Sequence, residues 1–427
     1  MSTTTMPSAR PPSRLARLIP EPPVTCIEDL RRLAERRVPR MFYDYADSGS
    51  YTEGTYRANS QDFAQIKLRQ RVAVNMEGRS LASTMVGQPV AMPVALAPTG
   101  LTGMQHADGE ILAARAARRA GVPFTLSTMS ICSIEDVAAE AGPGFWFQLY
   151  VMRDRDFIGR LIDRAERAGC SALVLTLDLQ ILGQRHKDIK NGLSTPPKPT
   201  LRNLVNLATK PRWCLAMLGT ERRTFGNIVG HAKGVTDLSS LSAWTAEQFD
   251  PSLDWDDVRR IRDRWGGKLI LKGILDVEDA ERAAESGADA LIVSNHGGRQ
   301  LDGALSSIAA LPEIAAAVGD RIEILFDGGI RSGQDVIKAL ALGAKGTFIG
   351  RAFLYGLGAN GEAGVTQCLD IIRKELDTTM AMCGLRDVRE VDGRIVARSP
   401  YRAEPRPAAP RPAAELRAVP MAEVARR

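Results

Sequence analysis

The sequence predicts a (β/α)8 barrel, and three observations carry that prediction. Eight short apolar runs, at residues 94–97, 124–127, 145–150, 173–178, 269–272, 291–294, 322–326 and 346–349, read as strands buried on both faces. Ala-rich stretches of helical spacing separate them, as a parallel sheet with crossover helices requires. Residues suited to chemistry stand at the end of each run, which is where such barrels build their sites.

Taken in order, residues 1–24 are rich in Pro, Ser and Thr with scattered Arg, and are expected to be disordered. The barrel domain is expected over residues 25–390 and a flexible Pro/Ala/Arg-rich tail over 391–427. A first helix should run from Ile27 to Arg37, and the tyrosines that follow, with Ser48 and Gly49, suggest a small lid. After the fourth run the next helix starts only near Asp256, leaving an insertion of about 190–255 that is too long for a bare loop. A long helical region over 364–383 closes the domain.

The net charge of +6 is unevenly spread. Residues 1–40 hold eight Arg against four acids and residues 401–427 six Arg against three, so the middle of the chain is slightly acidic. Within that middle, residues 185–240 hold ten Lys or Arg against three acids. This basic insertion also places Leu201, Leu204, Val205 and Leu207 at helical spacing and adds the apolar run 213–218. It reads either as a patch for a membrane surface or as a solvated lid. No apolar run is long enough to span a bilayer, and nothing calls for nucleic acid. The six cysteines lack metal or disulfide spacing, and the four histidines form no zinc motif, so reduced cytosolic thiols and no metal are expected.

The chemistry centres on Ser294-Asn295-His296-Gly297-Gly298-Arg299 after the sixth run. It offers a base, glycines that allow close backbone approach, and an arginine fork suited to a carboxylate. Taken alone, these residues are also compatible with a turn and a solvated histidine. Asp327-Gly328-Gly329-Ile330-Arg331 and Gly350-Arg351 follow the seventh and eighth runs, where barrels commonly bind phosphate, although glycines there also serve tight packing. Lys272 points into the barrel, where an unpaired cation is costly and calls for an anionic partner. A phosphorylated redox cofactor whose ring gains negative charge would satisfy both features.

These motifs, together with Leu96-Ala97-Pro98-Thr99-Gly100, Phe147-Gln148-Leu149-Tyr150, Leu271-Lys272-Gly273-Ile274, Lys210-Pro211-Arg212-Trp213 and Phe249-Asp250-Pro251-Ser252, resemble the FMN-dependent α-hydroxy-acid dehydrogenases and oxidases. Within that family the resemblance, over residues 26–390, is greatest to the membrane-associated bacterial L-lactate dehydrogenases. It implies FMN, a small L-2-hydroxy acid such as L-lactate as substrate, and a quinone-type acceptor. It further implies a homotetramer at the inner face of the cell membrane. By position, His296 would be the base and Asp178 the carboxylate that orients it. Arg185 and Arg299 would clamp the substrate carboxylate, and Tyr45 and Tyr150 would bond the substrate. Lys272 would face the flavin. Pro98, Thr99 and Gly100 would line its edge, with Ser127, Gln148, Thr176 and Ser294 bonding the ring side. Asp327, Gly328, Gly329, Arg331, Gly350 and Arg351 would hold the ribityl phosphate end. Gln184 and His186 depart from the family pattern, and flexible Met129 leaves the size of the substrate side chain open. An O2-reducing oxidase, a dehydrogenase for a larger acid such as mandelate, and a non-catalytic phosphate-binding barrel are the alternatives.

Overall fold

A computed structural model describes residues 23–193, 200–232, 235 and 250–401. The expectations of disorder before residue 23 and flexibility after residue 401 lie outside the described residues.

Helix α1 (Ile27–Arg37) forms as expected, with Glu28 and Asp29 in its first turn and Arg36 and Arg37 in its last, complementing the helix dipole. Its buried face, Ile27, Leu30 and Ala34, follows helical spacing. Helices α2 (Arg40–Ala46) and α3 (Gly54–Gln61) follow and lead toward the barrel mouth.

The eight parallel strands are β1 (Val94–Leu96), β2 (Thr125–Ser127), β3 (Trp146–Tyr150), β4 (Ala172–Thr176), β5 (Lys268–Ile274), β6 (Ala290–Val293), β7 (Glu323–Asp327) and β8 (Gly346–Ile349). Each pairs with its successor from β2 through β8, and β8 pairs with β1. The ring closes through a bridge between Leu96 and Phe124, with the Leu96 N–H donating to the Pro123 carbonyl at 2.9 Å. Observed ends fall within two residues of the expected ones; β4 stops at Thr176, which leaves Asp178 on the following loop.

Side chains alternate along a strand, so every second residue enters the barrel. Trp146, Val174, Ile270, Ile292, Leu325 and Phe348 form an apolar layer there, and an antiparallel hairpin (Ser83–Met85, Gln88–Val90) adds Met85, Val86 and Val90 to the same cluster. Two residues beyond each member of that layer come Gln148, Thr176, Lys272, Ser294, Asp327 and Gly350. The strand period itself therefore stacks a polar layer above the apolar one at the C-terminal end.

Crossover helices run over residues Gly109–Ala120, Ile134–Ala141, Arg155–Arg167, Trp255–Arg264, Val277–Glu285, Ser307–Val318 and Gly333–Ala341. The last crossover differs from expectation. One long element, Arg351–Met382, begins directly after β8 and breaks at Asn360 and Gly361, the latter at φ 59°. Part of the expected tail is also ordered, since Val396–Arg398 pairs antiparallel with Lys67–Leu68.

The insertion carries short helices at His186–Lys190, Leu201–Ala208 and Pro211–Gly219 and returns to the barrel at Asn227. Asn227 is fully buried: its Oδ1 accepts from Ile134 N at 2.9 Å, its Nδ2 donates to Ser130 Oγ at 2.9 Å, and its carbonyl accepts from Arg164 at 3.0 Å. Asn227→Ala should leave buried partners unsatisfied, costing about 2–3 kcal/mol in urea unfolding. It should also open residues 200–232 to limited proteolysis before the barrel unfolds.

Candidate active site

His296 sits just past β6 in the left-handed region, at φ 57°, a strained conformation for a non-glycine residue. Its Nδ1 lies 2.9 Å from Asp178 Oδ1, and its backbone N–H donates to Ser294 Oγ at 3.1 Å. Asp178 can approach because β5 bulges at Gly273, where φ is 100° and a Cβ would stand 2.6 Å from the Asp178 carboxyl carbon. Burial pushes the Asp178 carboxyl up, but His296 and Lys272 outweigh it and hold it below its ordinary value.

Lys272 differs from expectation in one respect, because the protein supplies its anionic partner. Nζ pairs with Asp327 Oδ2 at 3.0 Å and donates to Ser294 Oγ at 2.9 Å, while Ser294 Oγ donates to Asp327 Oδ1 at 2.6 Å. Burial pulls the ammonium down, yet Asp327 and Asp178 raise it above its ordinary value, so it stays charged.

Arg299 and Arg185 face the same space. Arg299 lies 4.7 Å over the Tyr45 ring, and its Nη1 donates to the Tyr45 carbonyl at 2.5 Å. Arg185 lies 5.6 Å over the same ring and pairs with Asp188 at 2.8 Å. Burial and the charge of Arg185 push Arg299 down to about 10, which still leaves it cationic at neutral pH. Two guanidinium groups gathered over one aromatic ring, with a carboxylate, Asp188, paired to Arg185 alone, favour an anion beside them. Burial also raises the Tyr150 phenol, keeping it a neutral donor.

A cavity of about 260 Å³ joins these groups. Tyr45, Pro98, Thr99, Gly100, Tyr150, Arg185, His296, Arg299, Asp327, Gly328, Gly329, Arg331, Gly350 and Arg351 line it, so most expected residues converge. Ser127, Gln148, Thr176, Lys272 and Ser294 do not line it; they are buried in the strands. Gln184 and His186, the departures from the family pattern, are exposed and outside it. A shallower depression of about 1150 Å³ beside Pro93, Glu323 and Lys345 gathers none of this chemistry.

The residues present fit FMN. Gln148 Nε2 and Thr176 Oγ1, in the polar layer at the C-terminal end of the strands, are buried polar atoms without a hydrogen-bond partner among the described residues. Gly350 is not demanded by packing, since a Cβ there would meet only Ala97 and Thr99, at 3.8 and 3.9 Å. Gly328 and Gly329, at φ 115° and 84°, also serve packing, against Ser307 and Asn59. Arg331 and Arg351 bring two cationic side chains to that end of the cavity.

Several lining residues carried no sequence signal. Leu179, Leu182 and Phe225 form an apolar wall beside Met129, and Phe225 comes from the returning end of the insertion. Gln300 ties the loop after β4 to that after β6: its Nε2 donates to the carbonyls of Asp178 at 2.7 Å and Ile181 at 2.8 Å.

A barrel mouth with a cationic layer, a His–Asp pair and a fit for a phosphorylated flavin defines a redox enzyme, and the comparisons agree. The model of the FMN-dependent dehydrogenases matches residues 34–398, and the chain belongs to that family. It is 49% identical over 382 residues to an L-lactate dehydrogenase of Caulobacter vibrioides, covering 89% of this chain and 99% of the relative. Among solved structures it is similar to a monotopic membrane protein, (S)-mandelate dehydrogenase, with a TM-score of 0.83 and 37% identity over 87% of this chain and 99% of that one. It is also similar to a mandelate oxidase with benzoyl-formic acid, at a TM-score of 0.72 and 36% identity over 86% of this chain and 96% of the other.

Gly183 fixes the spacing of the mouth. A Cβ there would lie 2.6 Å from the Arg299 carbonyl, 2.7 Å from Ser50 Oγ and 2.8 Å from the Gln300 carbonyl. Gly183→Ala should therefore spread the lid and both loops, lowering kcat/KM for the hydroxy acid by about 100-fold while flavin content measured by absorbance stays constant.

Proposed function

We propose that this FMN-dependent dehydrogenase oxidises an L-2-hydroxy acid, L-lactate above others, to the 2-oxo acid, with His296 as base. The observation that carries the reading is the convergence of Arg185, Arg299 and His296 on one cavity, with Asp178 behind the imidazole. Arg299 and Arg185 would hold the substrate carboxylate, and Tyr45 and Tyr150 would bond its oxygens, converting binding into orientation. With Nδ1–H donating to Asp178, the His296 Nε2 lone pair is left to take the substrate proton, and Asp178 stabilises the imidazolium that results. FMN, when bound, would take up the two electrons and the second hydrogen released as the alcohol becomes a carbonyl. Pro98, Thr99 and Gly100 would line its ring edge. Ser127, Gln148, Thr176, Lys272 and Ser294 would face the ring, and Asp327, Gly328, Gly329, Arg331, Gly350 and Arg351 the ribityl phosphate. Lys272, charged and buried, favours negative charge on whatever it faces.

The name of the Caulobacter relative supports lactate. The apolar wall of Met129, Leu179, Leu182 and Phe225 favours a second reading, a larger acid such as mandelate, the substrate named for the (S)-mandelate dehydrogenase. Anaerobic flavin bleaching with glycolate, lactate, longer 2-hydroxy acids and mandelate ranks them. His296→Gln should retain flavin yet bleach with L-lactate at least about 100-fold more slowly, the usual size of a lost general base. Near-normal bleaching would remove His296 from the role.

We extend the proposal to the setting. Leu201, Leu204 and Val205 on one insertion helix and Leu215 and Leu218 on the next are each more than half exposed, beside Arg202, Lys210 and Arg212. No helix among the described residues is long and apolar enough to cross a membrane. The combination suits peripheral attachment at the inner face of the cell membrane, with a quinone as acceptor. A homotetramer, implied by the resemblance, completes the proposal. Co-sedimentation with anionic liposomes should weaken as salt rises toward physiological strength, where screening acts over about 8 Å. Indifference to such liposomes at low salt, together with stoichiometric peroxide from aerobic turnover, would favour the oxidase reading instead.

A further inference from the structure

We propose that Asp47 is a positioning residue for the cofactor phosphate, fixing Arg331 and Arg351 through the two tyrosines on which they lie. The inference rests on the assignment of those arginines to the FMN phosphate. Asp47 ends α2 and is only 3% exposed. Its Oδ1 accepts from the hydroxyls of Tyr56 and Tyr355, both at 2.7 Å. Its Oδ2 accepts from Tyr43 Oη at 3.0 Å and from Arg31 Nε and Nη2 at 3.1 and 2.8 Å. Burial opposes its charge, but donation from Tyr355, Tyr56 and Arg31 holds the carboxyl well below the usual carboxylate range.

The same two tyrosines present their faces to cations. The Arg351 guanidinium lies 4.5 Å over the Tyr56 ring, and that of Arg331 lies 5.6 Å over the Tyr355 ring. A phenol whose hydroxyl is fixed on a carboxylate cannot swing, so its ring plane sets where the guanidinium rests. Donation to an anion also enriches the ring in electrons, which strengthens its hold on the cation. The backbone beside Asp47 adds a second tie, because Arg351 Nε donates to the Ala46 carbonyl at 2.9 Å and its Nη2 to the Ser48 carbonyl at 2.6 Å. One buried carboxylate thereby sets the planes of both arginines without touching either.

A staple that merely joins helices would affect every flavin equally, whereas a device for the phosphate acts on FMN and spares riboflavin. The test measures flavin release from the purified holoenzyme by fluorescence on dilution, and exchange of the bound flavin against added riboflavin. Asp47→Asn should weaken FMN about tenfold and riboflavin by less than about twofold, the scale expected for a displaced cation–π pair. Equal loss of both flavins, or loss of neither, overturns the role of Asp47. If Asp47→Asn does not fold, Tyr56→Phe and Tyr355→Phe, which each remove one donor, are judged by the same criterion. Arg331→Met and Arg351→Met separate the two levels of the argument. If they leave the ratio of FMN to riboflavin affinity unchanged, the phosphate assignment itself falls. If they lower that ratio and Asp47→Asn does not, only the positioning role falls.

Discussion

The structure is governed by the concentration of cations at one end of a closed barrel. Lys272, Arg185, Arg299, Arg331 and Arg351 all approach a single mouth, and burying charge without compensation is costly. They find relief in two ways. Lys272 pairs with Asp327 and Arg185 with Asp188, whereas Arg299, Arg331 and Arg351 lie on aromatic faces. Among the described residues, only Lys272 and Arg185 of these five therefore have a carboxylate partner. The remainder is an electrostatic demand for two anions, and the family's phosphorylated flavin and a substrate carboxylate are of the right sign to meet it.

That demand explains why the lid is where it is. Carbonyl groups of Tyr45, Ala46, Asp47 and Ser48 accept from Arg299, Arg351 and Lys187. The end of α2 and the start of the segment after it are thus held down by Arg299 and Arg351, which line the cavity, and by Lys187, and partial negative charge on four successive carbonyls offsets their charges. The rest of the mouth is set by backbone geometry. Gly273 admits Asp178, Gly183 lets lid and loops meet, and the positive φ of His296 places an imidazole that an ordinary turn would direct elsewhere.

Much of this was legible in the sequence, for identifiable reasons. The barrel follows from eight apolar runs because strands buried on both faces have no alternation to blur them. The convergence of the candidate residues on one end of the barrel was legible because they lie in local motifs at strand tips. What was not legible depends on distant pairing. The partner of Lys272 is Asp327, which the sequence offered as a phosphate-end residue. Asp47 draws its donors from positions 31, 43, 56 and 355, and nothing local marks it. Phe225 reaches the cavity only because Asn227 anchors the returning insertion. The ordering of Val396–Arg398 likewise depends on a strand more than three hundred residues earlier in the chain.

The insertion links chemistry to surroundings by its two ends. Its root carries Arg185, which faces the cavity, and its return carries Phe225, which walls it. Between them, the helices Leu201–Ala208 and Pro211–Gly219 expose leucines to solvent and rest on the lid side: Trp213 stacks on Phe42 at 5.4 Å, and Asn206 Oδ1 accepts from Arg40 N at 2.7 Å. Phe42 and Arg40 belong to α2, the helix that also carries Tyr45 and ends at Asp47. The exposed leucines are therefore coupled by packing to the helix that carries Tyr45, over whose ring Arg185 and Arg299 lie. The outer face of the insertion thus meets solvent, whereas its inner face packs on Phe42, one helical turn from Tyr45.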